Sequence, residues 1–556
     1  RLEPFQGLEE DVVRLHASAL PSAAIDPIEP EAAPLVEDDA PLPPLSAADA
    51  KPADREPSES SPGLEIEDID EDEEPSFPLD DLEPEEEVEE EEPVVAVDDD
   101  DEIDIGTIFR ACDIRGVINE TLDEDIIYAI GQAIGSEAIA RGEQTILVGA
   151  DGRVSSPAVS EVLIRGLAET GCDVVNLGTL PTPILYFATH NSDATSGVMV
   201  SGGQGAADVN GFKIVLAGDA LLEEDIQRLY ERVVNDNFES GQGNVSEADL
   251  LMDYVDAVSD DVVVAQPLKV VVDCGHGVGG LVAEELYNNL GCETVTLYDE
   301  VGGDFPNRAP EPFNETNLAD LAEAVRNEGA DLGLALGSDG DRVIAVTSDG
   351  SIVWPDQLLM LFAKDVVARN PGSDVVFDIR CSRHLSSIVS GVGGRPIVSR
   401  CGHAFIKEKM RETDAVLGGE ATGHICFGER WFGFEDGLYA GARLLEIVGS
   451  QSEPFDALVD AIPFGVVTPE IQLAVDDEVK FEVMERVEAL ADFGEGSAST
   501  IDGIRVDYPN GFGIVRASNS GPYLGLRFEA DDEDTLAEIR ETFREQLVGV
   551  DEALDF

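Results

Sequence analysis

Short apolar runs alternate with amphipathic segments from about Ile108 to the end of the chain, a pattern typical of α/β layers with mostly parallel sheet. Three similar units follow one another, and each reads as strand, helix and strand. These segments are 145–151, 157–170 and 172–178 in the first unit, 269–274, 282–290 and 292–297 in the second, and 374–378, 383–389 and 395–398 in the third. We interpret them as one α/β unit present three times.

The C-terminal part of the chain follows a different pattern. Predicted strands with half-buried alternation are 469–475, 503–508 and 521–528, and predicted helices are 481–490 and 535–547. The predicted fold class is therefore three tandem α/β domains followed by a smaller C-terminal α+β domain. The predicted domain boundaries are 106–253, 254–366, 367–466 and 467–556.

Residues 1–105 lack this alternation. They contain 15 of the 30 prolines, 38 acidic residues against 4 basic ones, and an almost unbroken acidic run over 85–92. Such a segment buries too little apolar surface to offset the entropy of ordering it, and its like charges repel one another. We predict a disordered acidic segment, with a short amphipathic helix over 9–20 or a motif for a protein partner as the alternatives.

The charge balance disfavours several classes of function. The chain has 117 acidic and 34 basic residues, a formal net charge of −83, and such a field repels phosphate backbones and anionic bilayers. Nucleic-acid and membrane-surface binding are therefore disfavoured, and no apolar run of about 18 residues predicts a membrane span. The acidic excess continues beyond residue 105, which predicts a protein from the interior of a high-salt-adapted cell. Seven cysteines that occur singly, with no CxxC pair, predict reduced thiols in a cytoplasm.

Two loops in the first unit have chemistry that suits a phosphate. The segment 109–116 offers the guanidinium groups of Arg110 and Arg115, which suit phosphate oxygens bidentately, although structural ion pairs are the alternative. The segment 201–213 follows a predicted strand and is rich in small residues. Its backbone N–H groups can approach an anion, with Lys213 in the same loop as a point charge.

Three later loops extend this picture. In 336–342, Asp339 and Asp341 suit a hard cation and Arg342 an adjacent phosphate, with an ordinary Asp-Gly turn as the alternative. The segment 418–424 carries an acidic, a hydroxyl and an imidazole side chain, which suit hydrogen bonds to sugar hydroxyls. The segment 516–522 combines a guanidinium, two hydroxyls and turn amides, which suit a phosphate. His403, with Lys407 and Lys409, adds positive charge near the third unit, or is a structural histidine.

Taken in order, these loops resemble the α-D-phosphohexomutase superfamily, most closely its bacterial phosphomannomutase/phosphoglucomutase members. The resemblance covers about residues 106–556. The segments that carry it are FRACDIRG (109–116), NGFKI (210–214), DGDR (339–342), GHAFIKEKM (402–410), GEATGH (419–424), ERWFGFEDG (429–437) and RASN (516–519). An ordered set is far more specific than any one of its members.

The resemblance implies a fold and a reaction. It implies three α/β domains around a central cleft and a fourth domain that closes on the ligand. In this family a phosphoserine donates its phosphoryl to glucose 1-phosphate or mannose 1-phosphate, and the enzyme retrieves a phosphoryl from the other end of the bisphosphosugar. Implied cofactors are Mg²⁺ and, as activator, glucose 1,6-bisphosphate, and implied partners are hexose 1- and 6-phosphates.

The resemblance also assigns roles to residues of this chain. The positions that match catalytic residues are Arg115, Lys213, Arg342 and His403. The positions that match substrate-binding residues are Glu420, Thr422, His424, Arg516, Ser518, Asn519 and Ser520. Asp339 and Asp341 match two of the three metal-binding carboxylates.

This chain departs from the family pattern in two loops. Gly203 stands at the phosphoserine position, with Gln204 where the neighbouring His would be, and Gly337 stands at the position of the first metal Asp. Cys112 also replaces a Tyr that is common in the bacterial enzymes. Because phosphoryl transfer depends on positioning and charge neutralisation, we expect a hexose-phosphate-binding protein with severely impaired mutase activity. The alternatives are an active mutase that uses Ser201 or Ser338 as phosphate carrier, and a scaffold that acts through the acidic segment.

Overall fold

The structure is a computed structural model that describes residues 105–556. The predicted acidic segment, with its candidate helix over 9–20, lies outside the described residues except for Ile105. Four separate sheets follow one another along the chain. The first three each combine a group of parallel strands with antiparallel strands, and the last one is antiparallel. The predicted fold class is confirmed. Short 3₁₀ helices cover Ile105–Ile108, Val278–Leu281, Glu315–Leu318 and Glu552–Leu554.

The first sheet has the strand order β1-β5-β4-β2-β3-β7, with β6 paired to β5. Its strands are β1 (Ile114–Val117), β2 (Thr145–Ala150), β3 (Asp173–Thr179), β4 (Ser196–Val200), β5 (Val209–Leu216), β6 (Asp219–Ala220) and β7 (Val245–Glu247). The helices of this part are α1 (Glu124–Ala140), α2 (Ser156–Glu169), α3 (Thr182–Asn191), α4 (Glu223–Val234) and α5 (Leu251–Asp261).

One expectation in this sheet is corrected, because Lys213 does not lie in a loop. It lies on β5, which pairs antiparallel with β4 on one side and with β1 on the other. The predicted loop therefore ends before Val209. Close pairing needs a glycine at position 211, since a Cβ there would lie 2.1 Å from the carbonyl oxygen of Ile114.

The second and third sheets have the orders β12-β11-β10-β8-β9 and β14-β13-β15-β16. The second contains β8 (Lys269–Asp273), β9 (Glu293–Leu297), β10 (Leu332–Leu336), β11 (Val343–Thr347) and β12 (Ile352–Val353), with α6 (Ala283–Asn289), α7 (Ala319–Glu328) and α8 (Pro355–Arg369). The third contains β13 (Asp374–Asp378), β14 (Arg395–Ser399), β15 (Leu417–Gly419) and β16 (Ile425–Phe427), with α9 (Arg383–Gly391), α10 (His403–Thr413), α11 (Gly437–Ser450) and α12 (Phe455–Asp460).

The fourth sheet is antiparallel, with the order β17-β22-β21-β20-β19 and β18 paired to β22. Its elements are β17 (Val466–Val467), β18 (Ile471–Ala474), α13 (Lys480–Leu490), β19 (Ser497–Ser499), β20 (Ile504–Tyr508), β21 (Gly511–Ala517), β22 (Tyr523–Ala530) and α14 (Glu533–Val550). Arg516 was expected in a loop but lies on β21, which pairs on both sides with β20 and β22. Gly418 and Gly419 likewise lie on β15.

The largest apolar core joins the three α/β sheets, since Leu147 of β2, Val270 of β8 and Val375 of β13 belong to one buried cluster. A separate core, which includes Phe528 and Phe543, lies within the C-terminal part. Burial of apolar surface contributes about 25 cal/mol per Å², so a shared core holds the three units in a fixed relation. None of the helices in residues 105–556 is long and apolar enough to cross a membrane. All seven cysteines are free.

Candidate functional site

A polar cleft of about 800 Å³, open to solvent, lies where loops from all four sheets meet. The predicted site residues that line it are Arg115, Gly203, Lys213, Arg342, His403, Glu420, Thr422, His424, Arg516, Ser518, Asn519 and Ser520. The structure therefore brings together every predicted catalytic and substrate-binding residue.

The predicted metal-binding residues lie directly behind the cleft wall. Lys213 Nζ lies 2.6 Å from Asp339 Oδ2 and 2.6 Å from Asp341 Oδ2, and all three side chains are buried. Burial by itself lowers the pKa of Lys213, but the charges of the two carboxylates raise it more, so this pKa lies above its ordinary value. Lys213 and His424 in turn hold the pKa of Asp341 well below its ordinary value.

Asp339 is bound by further donors from the first unit. Its Oδ2 accepts hydrogen bonds from Thr182 Oγ1 at 2.9 Å and from Ser201 Oγ at 3.1 Å. The backbone N–H of Thr182 also donates to the Asp339 carbonyl at 2.8 Å. The loop after β10 is therefore tied to the first unit through one aspartate.

His424 connects the 418–424 segment to the carboxylate of Asp341. Its Nδ1 lies 2.7 Å from Glu420 Oε2 and its Nε2 lies 3.0 Å from Asp341 Oδ2. Burial and Arg342 oppose protonation, but these two carboxylates raise the pKa of His424 above its ordinary value. The other carboxylate oxygen of Glu420 accepts from the backbone N–H of Gly402 at 2.7 Å. Glu420 is thus held in the wall of the cleft. Burial opposes ionisation of its carboxyl, but His424 and Arg380 lower its pKa below the ordinary value.

The loop between β4 and β5 is fixed by Arg153, a residue that the sequence analysis missed. This buried guanidinium donates to the carbonyl oxygens of Gly203 at 2.7 Å, Gly205 at 2.9 Å and Val209 at 3.0 Å, and also to that of Ala206. Several carbonyls converge on one cation, so the loop has a defined shape that does not depend on a side chain at position 203.

Gly203 faces a cation across the cleft. Its φ is +53°, and a Cβ at this position would lie 3.2 Å from Arg115 Nη2. Arg115 forms an ion pair with Asp113, and its buried Nε has no hydrogen-bond partner among the described residues. The position at which the resemblance places a phosphoserine thus points at a guanidinium with spare hydrogen-bonding capacity.

A second cationic group lies in the C-terminal part of the cleft. Arg516 Nε lies 3.0 Å from Asp502 Oδ2, while its buried Nη2 has no hydrogen-bond partner within residues 105–556. Asn519 Nδ2 donates to the carbonyl oxygen of Cys401 at 3.0 Å, which links this loop to the third unit. An unpaired buried donor is costly, so both guanidinium groups are suited to an anionic ligand.

His403 and its basic neighbours have separate environments. His403 Nδ1 lies 2.9 Å from Glu435 Oε1 without hydrogen-bond alignment, and burial lowers the pKa of its imidazole. Lys407 Nζ lies 2.9 Å from Glu435 Oε2, which neutralises it, and Lys409 forms an exposed ion pair with Glu412. Of these three residues only His403 lines the cleft. Arg110 is likewise paired, to Asp477.

Four further cleft residues were missed by the sequence analysis: Arg380, Cys401, Glu470 and Tyr523. Arg380 Nη2 lies 2.7 Å from Asp378 Oδ2 and 3.2 Å from Glu420 Oε1. A signal for it exists in the sequence, since Asp378-Ile-Arg380 in the third unit repeats the Asp151-Gly-Arg153 pattern at the end of the equivalent strand of the first unit. Glu470 and Tyr523 have no comparable signal.

Metal ligation is limited at this site. No group of three or more His, Cys, Asp or Glu side chains in residues 105–556 is placed to hold a metal ion. The two carboxylates nearest to such a role, Asp339 and Asp341, direct their Oδ2 atoms at an ammonium group. Gly337, at the position of a third carboxylate in the resemblance, supplies no ligand atom from a side chain. The donor set present does not fit Mg²⁺, which requires near-octahedral oxygen ligands.

The fold and this cleft define a class of protein. Models of the phosphoglucomutase/phosphomannomutase family match four consecutive stretches: α/β/α domain I over 106–240, domain II over 252–350, domain III over 354–464 and the C-terminal domain over 470–546. The chain belongs to this family, within the α-D-phosphohexomutase superfamily, and the resemblance seen in the sequence is confirmed.

Individual relatives cover the same part of the chain. A phosphomannomutase/phosphoglucomutase of Pseudomonas aeruginosa is 51% identical over 448 residues, which are 81% of this chain and 97% of that protein. A phosphoglucomutase of Neisseria gonorrhoeae is 45% identical over 441 residues, 79% of this chain and 96% of that protein. The crystal structure of a phosphoglucomutase/phosphomannomutase family protein from Burkholderia thailandensis is 43% identical, with a TM-score of 0.76 over 80% of this chain and 97% of that one.

Proposed function

We propose that this protein binds hexose 1- and 6-phosphates in the cleft and has lost most or all of the phosphohexomutase reaction. The observation that carries the proposal is the position of Gly203, which faces Arg115 but has no oxygen to accept a phosphoryl group. The rest of the cleft keeps the cations and hydrogen-bonding groups that a phosphosugar needs. The cleft therefore keeps the groups that bind a phosphosugar, while Gly203 removes the side-chain oxygen that phosphoryl transfer needs.

The two guanidinium groups supply the phosphate-binding part of the proposal. Arg115 and Arg516 each present an unpartnered buried N–H, and both line the same cleft. A charge-assisted hydrogen bond contributes about 1.5–3 kcal/mol, so a phosphate at either group satisfies a donor that the protein leaves unpaired. Glu420 and His424 lie between the loops of the second and third units, where they suit sugar hydroxyls.

The alternative in which another serine carries the phosphoryl group is disfavoured by the surroundings of both candidates. Ser201 Oγ donates to Asp339 and accepts from the backbone N–H of Gly203 at 2.9 Å. Ser338 Oγ donates to the carbonyl oxygen of Gly203 at 2.9 Å. Both side chains are buried and neither lines the cleft. Phosphorylation of either would first require these hydrogen bonds to break.

The test combines binding with turnover on the full chain. Isothermal titration with glucose 1-phosphate and mannose 1-phosphate is expected to show binding, whereas a coupled assay with Mg²⁺, glucose 1,6-bisphosphate and molar KCl is expected to show no 6-phosphate product. A variant with Gly203→Ser, Gln204→His and Gly337→Asp serves as the matched gain-of-function control. Turnover by the unaltered chain at ordinary enzyme rates would contradict the proposal. Intact-mass mapping of a phosphoryl group to Ser201 or Ser338 would establish the alternative.

A further inference from the structure

The buried carboxylate pair Asp339 and Asp341 is bridged by a single ammonium group. Lys213 Nζ lies 2.6 Å from Oδ2 of each aspartate, and the three side chains are at most 5% exposed. Two carboxylates converge on one point where a divalent cation would otherwise balance their charge. We propose that the Lys213 ammonium takes the place of that cation, so that the cleft binds its phosphorylated ligand without a divalent metal.

The Oδ2 atoms of Asp339 and Asp341 already accept hydrogen bonds from several protein donors, which leaves them few lone pairs for a metal. Besides Lys213, Asp339 Oδ2 accepts from Thr182 Oγ1 and Ser201 Oγ, at 2.9 and 3.1 Å. Asp341 Oδ2 lies 3.0 Å from His424 Nε2. Mg²⁺ gives up its water reluctantly and demands ligand oxygens at about 2.0–2.1 Å. A metal here would have to displace several protein donors at once.

The charge balance leads to the same result. The two carboxylates face the Lys213 ammonium, and Arg342 Nε lies 3.7 Å from Asp341 Oδ1. The cluster is therefore close to neutral without a metal. A divalent cation would add uncompensated positive charge to a buried site.

Gly337 leaves this arrangement without a third carboxylate. A Cβ at position 337 would lie 3.5 Å from Asp341 Oδ1 and 3.4 Å from Arg342 Cβ, ordinary contact distances. A carboxylate introduced there would thus lie beside Asp341 Oδ1, a buried oxygen without a hydrogen-bond partner among the described residues. It would add a ligand and a negative charge, which together favour a divalent cation.

The test measures metal binding directly, with Mn²⁺ as the probe and electron paramagnetic resonance of the free ion as the readout. Full-length wild-type protein is expected to bind Mn²⁺ only weakly through its acidic surface, a background that all variants share. Gly337→Asp is expected to bind one Mn²⁺ at least about tenfold more tightly than wild type, because hard cations follow the number of carboxylate ligands. Gly337→Asn, with the same shape but no charge, is the matched control and is expected to behave like wild type.

A second variant covers the case in which Gly337→Asp does not fold. Lys213→Met removes the bridging ammonium and is expected to bind Mn²⁺ more tightly than wild type, since it leaves two carboxylates without their cation. The inference is overturned if wild type itself binds one Mn²⁺ as tightly as Gly337→Asp. It is equally overturned if neither variant gains Mn²⁺ binding.

The consequence for the ligand rests on the proposed function and is measured separately. Affinity for glucose 1-phosphate is expected to differ by less than about twofold between buffers with MgCl₂ and with EDTA, because an ammonium group is not removed by a chelator. Loss of affinity in EDTA would overturn the inference. Absence of binding in both buffers would instead contradict the proposed function, while the Mn²⁺ titration, which uses no sugar, would still decide the role of Lys213.

Discussion

Replacing Gly203 by serine tests two properties of this position at once, its backbone conformation and its missing hydroxyl group. Its φ is +53°, and a left-handed conformation costs an L-residue about 1–2 kcal/mol. Loss of a glycine also lowers the entropy of the unfolded chain, which opposes this cost by about 0.4–1 kcal/mol. We expect a net loss of about 1 kcal/mol, which corresponds to a melting temperature lower by about 2–4 °C for a domain of 150–250 residues.

The new side chain has space in the cleft. The three atoms nearest to a Cβ at position 203 all belong to the Arg115 guanidinium, at 3.2, 3.6 and 3.7 Å. A serine hydroxyl would therefore enter the cleft beside a cation that stabilises a phosphate. After incubation of the full chain with Mg²⁺ and glucose 1,6-bisphosphate, intact-mass spectrometry is expected to show one phosphoryl group on Gly203→Ser combined with Gln204→His and Gly337→Asp, and none on the wild type. The serine oxygen takes the phosphoryl group, its proton passes to water, and a glucose monophosphate is released.

Gly203→Ala is the matched control for this prediction. Its backbone cost equals that of serine, so it is expected to melt at the same lowered temperature, but it offers no oxygen and stays unphosphorylated. The reasoning would be refuted if the variant with Gly203→Ser, Gln204→His and Gly337→Asp bound the bisphosphate and Mg²⁺ and remained unphosphorylated, or if the wild type took up a phosphoryl group equally well.

Three further predictions concern binding, pH and salt. Arg516→Ala is expected to weaken glucose 1-phosphate binding by about tenfold or more in calorimetry, since it removes a charge-assisted hydrogen bond. Arg486→Ala, which changes an exposed side chain, is expected to leave the affinity unchanged. Equal affinities of the two variants would contradict the assignment of Arg516 to the phosphate. Burial raises the pKa of Asp436 to about 7, so the folded protein holds a proton that the unfolded chain releases near its ordinary pKa of about 3.9. The contribution of Asp436 to the free energy of unfolding therefore falls as pH rises from about 4 to 7. The difference in melting temperature between wild type and Asp436→Asn is expected to change across that range. A constant difference in melting temperature across the range would show that Asp436 is ionised in the folded protein. The net charge of −83 predicts that the melting temperature rises from about 0.1 M to molar KCl as repulsion is screened, and a falling melting temperature would argue against adaptation to high salt.

The order of strands and helices was predictable because each α/β unit separates its signals clearly. Buried parallel strands such as β13 read as apolar runs, and the intervening helices are amphipathic. The convergence of the separate loops was predictable only through the resemblance, which implied three α/β domains around a central cleft. Strand β21 was missed because Gly511 and Gly513 interrupt its alternation, although both lie within the sheet.

The details of the site could not be predicted in the same way, because they depend on contacts between distant segments. Lys213 and Asp339 are 126 positions apart, and only the packing of the first sheet against the second places the ammonium between the two aspartates. The hydrogen bonds from Arg153 to the loop go to backbone carbonyl oxygens, which every residue carries, so no pattern of side chains in the sequence indicates them. Sequence patterns identify chemical groups, whereas partners across an interface between units require the fold.

The measurement that tests the central claim most directly is ³¹P NMR of the full chain mixed with glucose 1-phosphate, Mg²⁺ and a trace of glucose 1,6-bisphosphate in molar KCl. The account predicts that the glucose 1-phosphate resonance shifts or broadens as the ligand binds, and that no glucose 6-phosphate resonance grows over hours. Steady growth of the 6-phosphate resonance at an enzymatic rate would contradict it, because a chain with Gly203 at the position facing Arg115 would then carry the phosphoryl group by another route.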